Sequence, residues 1–130
     1  MTKIVVTGSR NWTDREFILS ALKTLAVEPP VLFIHGACRG VDLLAASCAN
    51  DLGWTVKPVR ADWSRFGLAA GPIRNVEMLE EKPDIVVAFH DDIGSSSGTA
   101  NCIKEAKARN IPVKMFTHFQ RITDSVPFSC

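Results

Sequence analysis

The side chains best suited to chemistry form a run of small polar residues, which reads Gly94, Ser95, Ser96, Ser97, Gly98 and Thr99. This run stands where a loop opens a predicted helix. Free backbone N–H groups and the positive end of the helix dipole favour an anion there. Hydroxyl groups add donors, and glycine lets the backbone approach a ligand closely. The run predicts a phosphate site, although a Gly/Ser turn that only caps the helix has the same composition.

Glycine and arginine also follow other apolar segments of the chain. The turn Gly8-Ser9-Arg10 can place a guanidinium against a phosphate. The alternative is that Arg10 is an ordinary surface residue beside a turn and contacts no ligand. Arg74 and Asn75 follow Gly71-Pro72 in the first turn of a predicted helix, which favours a functional role for this pair. The predicted ligand-binding residues outside the run are Gly8, Ser9, Arg10, Gly36, Arg39, Gly40 and Asn75.

Candidates for catalysis in these loops are Arg74, Asp62 and Asp42. Asp42 opens a predicted helix, so capping or first-turn stabilisation explains it equally well. His35 directly follows a buried strand and is predicted to be structural. Cys38 lies beside an arginine, which can lower a thiol pKa, but a nucleophilic role is disfavoured. Trp63 could stack on a base, although a tryptophan in a long loop more often anchors that loop to the core.

Short apolar segments rich in β-branched residues alternate with helical segments of about ten residues. The predicted strands are residues 3–7, 31–34, 55–59, 85–89 and 111–116. The predicted helices start after a cap at Thr13 and at residues 41, 73 and 99. This order predicts an α/β protein, a single Rossmann-like three-layer α/β/α domain with a mainly parallel sheet of about five strands. Ligands of such sheets bind beyond the carboxyl ends of the strands, where the residues above fall.

The length and the net charge of the chain limit the number of domains and the classes of partner that we expect. The 130 residues suit one domain, predicted over residues 1–117, with residues 118–130 as a C-terminal arm or tail. Lys and Arg number 15 and Asp and Glu 14, which disfavours a nucleic-acid partner or a DNA-processing accessory role. No apolar run is long enough for a signal or membrane segment, and the cysteines lack Cys-x-x-Cys spacing. We therefore expect a cytoplasmic protein without metal or cofactor.

Taken in order, five motifs resemble the SLOG superfamily, which includes LOG and Smf/DprA relatives. The match is best to its branch of small stand-alone YspA or cpYpsA-related domains of bacteria and their phages. The motifs span residues 6–10, 35–42, 61–63, 70–75 and 94–99. The resemblance covers residues 3 to about 115. It implies a Rossmann-like fold, a nucleotide or nucleotide-derived small molecule as partner, and a homodimer or higher oligomer.

The resemblance also sets limits on the chemistry. LOG relatives cleave the N-glycosidic bond of nucleoside 5′-monophosphates with a Pro-Gly-Gly-x-Gly-Thr-x-x-Glu motif. Only Gly98 and Thr99 match that motif here, and Cys102 stands at the glutamate position. Catalysis would need a carboxylate from another loop: Asp42, Asp62, Asp91 or Asp92. The main hypothesis is therefore a nucleotide-binding or sensing module, and the alternative is a nucleoside monophosphate N-glycosidase.

Overall fold

The computed structural model describes residues 1–118, in which strands and helices alternate along the chain. The strands are β1 (Thr2–Gly8), β2 (Val31–His35), β3 (Thr55–Pro58), β4 (Ile85–Phe89) and β5 (Val113–Phe116). The helices are α1 (Arg15–Thr24), α2 (Val41–Asp51), α3 (Trp63–Phe66), α4 (Ala70–Leu79) and α5 (Ser97–Ala108). The predicted tail lies outside the described residues, apart from His118.

All five strands run parallel in one sheet with the order β3-β2-β1-β4-β5. The central strand β1 pairs with β2 on one side, with Val5 opposite Ile34, and with β4 on the other, with Val5 opposite Val86. The chain builds the sheet outwards from β1 in one direction and then returns to β4. A crevice therefore opens between the carboxyl ends of β1 and β4, at the topological switch point. The predicted α/β fold with a parallel sheet is confirmed.

Side chains of the central strands alternate between two apolar layers. Ile4 and Val6 pack in one layer with buried residues of α1 and α2. Val5 packs in the other layer with buried residues of α4 and α5. Because both faces are covered, most residues of the three central strands β1, β2 and β4 are buried, as is usual in parallel sheets. The three-layer arrangement is thereby confirmed.

Two local details differ from the sequence predictions. Asp14, rather than Thr13, caps α1, because its carboxylate accepts a hydrogen bond from the N–H of Phe17 at 3.1 Å. The segment between the predicted strand 55–59 and the helix predicted to start at residue 73 contains the short helix α3, and α4 already begins at Ala70. Asp62 explains α3, since its side chain accepts from the N–H of Arg65 at 3.1 Å.

His118 ties the end of the described chain to the domain. Its ring nitrogens lie 2.7 Å from an oxygen of Asp91 and 3.1 Å from an oxygen of Asp14. The ring centroid is 4.3 Å from that of Trp12. The hydrogen bond with Asp91 raises the pKa of His118. The first residue of the predicted tail is therefore packed rather than free.

No helix in residues 1–118 combines the length and hydropathy needed to span a membrane.

Candidate functional site

Main-chain hydrogen bonds join the loops at the switch point. The N–H of Ser9 donates to the carbonyl of Phe89 at 3.0 Å, and the carbonyl of Ser9 accepts from the N–H of Val41 at 2.9 Å. A Cβ added to Gly8 would lie 2.6 Å from the Phe89 carbonyl oxygen and 2.7 Å from Val41 Cβ. No side chain fits there, so Gly8 allows the ends of β1 and β4 and the start of α2 to meet.

A cavity of about 220 Å³ opens above this junction, and we refer to it as the switch-point cavity. It brings together most of the residues predicted from sequence. Those that line it are Gly8, Arg10, Asp42, Arg74, Asn75 and residues 95–99. The loops after β1, β2 and β4 and the helix α4 thus contribute to one site.

The first turn of α5 forms one wall of the switch-point cavity. Ser96 caps the helix, with its hydroxyl accepting from the N–H of Thr99 at 3.4 Å. Within residues 1–118, the N–H groups of Ser97 and Gly98 donate to no protein acceptor. A Cβ added to Gly98 would meet no atom within 4 Å. The wall therefore offers free backbone donors and open space to an anion.

Arg74 supplies a buried cation to the same cavity. Only 6% of the residue is exposed. Nη1 donates to the carbonyl of Gly36 at 2.7 Å, and Nε donates to Oδ1 of Asn75 at 3.0 Å. A Cβ on Gly36 would lie 2.6 Å from Nη1, so glycine is required for this approach. In the described part of the chain Nη2 has no hydrogen-bond partner and remains available to a ligand.

Asn75 links α4 to the start of α5. Its Nδ2 donates to the carbonyl of Gly98 at 3.2 Å and to Oδ1 of Asn101 at 3.0 Å. Since its Oδ1 also accepts from Arg74, Asn75 fixes the guanidinium relative to the helix terminus. Asn75 is 3% exposed, so it acts here by positioning its neighbours.

Asp42 is the carboxylate of the switch-point cavity. Its Oδ2 accepts from the N–H groups of Gly36 at 3.0 Å and Cys38 at 3.3 Å. Burial raises the pKa of Asp42 to about 6, although these bonds and the charges of Arg74 and Arg10 favour the ionised form. A carboxyl with such a pKa exchanges protons near neutral pH.

Six of the predicted site residues do not line the switch-point cavity. Gly36 and Arg39 line a neighbouring cavity that is described below, and the other four have local structural roles. The hydroxyl of Ser9 accepts from the N–H of Asn11 at 3.0 Å and shapes the turn. Gly40 has a φ of 78° and caps α2, with its α-carbon against the backbone of residues 9 and 10. Gly94 lies in the turn before α5. Asp62 is exposed and caps α3.

Two buried residues have structural roles. His35 accepts from the N–H of Ala37 at 3.0 Å through Nδ1, and burial together with the charge of Arg60 lowers its pKa. Cys102 has no exposed surface and packs in the apolar layer between the sheet and α4 and α5. Burial raises the pKa of Cys102 to about 12, so it is a neutral thiol that cannot replace a catalytic carboxylate.

A second cavity of about 380 Å³ adjoins the first, and we refer to it as the arginine cavity. Gly36 and Arg39, both predicted from sequence, line it together with Arg60 and Trp63. Trp63 is 49% exposed, which contradicts the prediction that it anchors its loop in the core. Arg60 is not among the predicted site residues, although it follows the end of β3 by two positions, as Arg10 follows the end of β1.

Comparisons with known proteins identify the family to which this chain belongs. A model of the YspA, cpYpsA-related SLOG family matches residues 2–66. The Gene 61 protein of Mycobacterium phage D29 is 37% identical over 123 residues, which covers 89% of this chain and 97% of that protein. No solved structure matches the chain. The chain therefore belongs to the YspA, cpYpsA-related SLOG family.

Proposed function

We propose that the domain binds a nucleotide or a nucleotide-derived phosphorylated ligand, and that a phosphate group occupies the switch-point cavity. The observation that supports this most directly is the meeting of two guanidinium groups with a helix terminus. Arg10 and Arg74 line the cavity opposite the free N–H groups of Ser97 and Gly98. Within residues 1–118 neither arginine forms an ion pair with a carboxylate.

This set of donors suits phosphate better than a neutral ligand. Guanidinium groups form charge-assisted and often bidentate bonds to phosphate oxygens. The N-terminus of a helix of 12 residues adds backbone donors and a favourable dipole. Nucleotides are the expected ligands, because the switch point of a parallel sheet leaves room for a nucleoside beside its phosphate. In this function the domain acts as a binding or sensing module.

Calorimetry and thermal unfolding with a panel of nucleoside 5′-monophosphates test the proposal. Arg10→Ala should weaken binding by roughly 1–3 kcal/mol, the value of a lost charge-assisted bond. Arg109→Ala is the matched control, because Arg109 lies at the other end of α5 and pairs with Glu105. The proposal would be refuted if both variants bound every nucleotide as tightly as wild type does, because the ligand would then lie outside the switch-point cavity.

A nucleotide N-glycosidase is the second candidate, and Asp42 is the observation that favours it. Of the aspartates considered from sequence, Asp42 alone lines the switch-point cavity, and its pKa of about 6 suits a general base. Asp42 would take a proton from the water whose oxygen bonds to the ribose C1′ atom as the C1′–N bond breaks, and the departing base would gain a proton from solvent. Chromatographic detection of free base tests this activity. Asp42→Asn should abolish base release while retaining nucleotide binding, and wild-type protein that binds without releasing base would exclude hydrolysis of that nucleotide.

A further inference from the structure

The arginine cavity carries an unusual charge arrangement. Four arginines line it, namely Arg10, Arg39, Arg60 and Arg74, and none of its lining residues is acidic. Two of the four are held in place by backbone carbonyls. Arg74 donates to Gly36 at 2.7 Å, and Nε of Arg39 donates to Arg10 at 3.3 Å.

Within residues 1–118 these positive charges are not paired directly with carboxylates. In the described part of the chain, none of the four arginines forms an ion pair with a carboxylate. Arg60 is exposed, and its charge contributes to the lowered pKa of His35. Like charges around one concave surface repel one another and concentrate anions from solution. An anionic group in the cavity would relieve that repulsion.

Trp63 adds a planar surface to the rim of the arginine cavity. It is 49% exposed, whereas Trp12 and Trp54 are each 8% exposed. A Cβ added to Gly71 would lie 3.3 Å from the Cη2 atom of Trp63, so this glycine lets the indole lie close to α4. An exposed indole beside cationic side chains is a favourable stacking surface for a nucleobase.

Building on the proposed function, we propose that the arginine cavity binds a second phosphate group of the same ligand. The ligand would then be a nucleotide with at least two phosphate groups rather than a nucleoside monophosphate. Arg10 and Arg74 line both cavities, so one continuous ligand can extend from the first into the second. A nucleoside diphosphate would supply only the second phosphate. A 5′-phosphorylated dinucleotide would supply the second phosphate and also a second base that can stack on Trp63.

Titration calorimetry on the full chain tests this proposal. The probes are adenosine and guanosine 5′-monophosphates, the corresponding 5′-diphosphates, and 5′-phosphorylated dinucleotides of each base. At least one probe with two phosphates should bind about tenfold more tightly than its monophosphate, as expected for an added charge-assisted contact. Arg60→Ala should remove this advantage and leave monophosphate affinity unchanged. Arg109→Ala, the matched control, should retain it.

Iodide quenching of tryptophan fluorescence separates the two sources of the second phosphate. Trp63 provides most of the accessible fluorescence from residues 1–118, because the other tryptophans are buried. A dinucleotide that stacks on Trp63 should protect this fluorescence, and a diphosphate should leave most of it quenchable. Circular dichroism of Arg60→Ala should match that of wild type, since Arg60 is exposed.

The outcomes distinguish this proposal from the one on which it rests. If monophosphates bind as tightly as the other probes, and Arg60→Ala changes nothing, the second phosphate site is refuted and the switch-point site stands. If no nucleotide binds at all, the proposed function itself is refuted, and the second site with it.

Discussion

Replacing Asp42 with asparagine tests the electrostatics of the switch-point cavity. The carboxyl is 6% exposed and accepts two backbone hydrogen bonds, which the amide oxygen of asparagine can also accept. The substitution therefore removes a titratable group while keeping its shape and its acceptor. The measured quantity is the dependence of the unfolding free energy on pH.

The sign and size of the effect follow from the pKa of Asp42. Burial raises it from 3.8 to about 6, so the folded protein holds this proton more tightly than the unfolded chain does. The stabilising contribution is full below pH 3.8 and is lost as the pH rises through about 6. At roughly 1.4 kcal/mol for each pKa unit, the loss is about 3 kcal/mol. Asp42→Asn should not show this loss.

Urea unfolding of wild type and Asp42→Asn between about pH 4 and pH 8 measures the difference. The two curves of unfolding free energy against pH should change their separation by roughly 2.5 kcal/mol across this range, because part of the full effect lies below pH 4. Asp62→Asn is the matched control, because Asp62 is exposed and asparagine caps a helix as well as aspartate does. Parallel curves for wild type and Asp42→Asn would refute the assignment of a raised pKa to this buried carboxyl.

Three further substitutions probe other parts of the molecule. Gly98→Ala should not destabilise the fold, because alanine favours a helix and its Cβ meets no atom within 4 Å, but it should weaken nucleotide binding in the same titrations. Unchanged affinity would contradict the placement of the ligand. His118→Ala should lower the melting temperature more at pH 6 than at pH 9, because the pKa of His118 is raised in the folded protein. The ionised imidazole therefore stabilises the fold fully below pH 6.5, and this stabilisation is lost as the pH rises through the folded-state pKa. Equal losses at both pH values would show that ring packing alone matters. Ala26→Gly should raise the unfolding free energy by about 1 kcal/mol, because Ala26 has a φ of 52°. A decrease on urea unfolding would contradict this.

The sequence predicts the fold well because its signals are local and mutually consistent. Apolar β-branched runs separated by helical segments can hardly form anything other than a layered parallel sheet. The same reasoning places Gly8, Arg10, Arg74 and residues 95–99 at one edge of the sheet, and the structure brings them into one cavity.

Other features depend on contacts that the sequence does not reveal. The hydroxyl of Ser9 is occupied by its own turn, and Asp62 is occupied by a helix cap, although both residue types fit a ligand site. The raised pKa of Asp42 requires burial, which spacing alone does not predict. Trp63 is exposed because α3 turns it away from the core, and a four-residue helix leaves almost no periodic signal.

The main-chain junction at Gly8 has a consequence for how relatives of this protein can diverge. The bonds from Ser9 to Phe89 and Val41 involve only backbone atoms. The main-chain frame of the crevice is therefore held by backbone bonds, and the absence of a side chain at Gly8 is the condition for them. Substitutions at Arg39, Arg60 or Trp63 would change the charge and the exposed ring surface of the arginine cavity one position at a time while this frame is kept. Under the proposed function, such a frame would allow relatives to bind different nucleotides through changes at a small number of exposed positions.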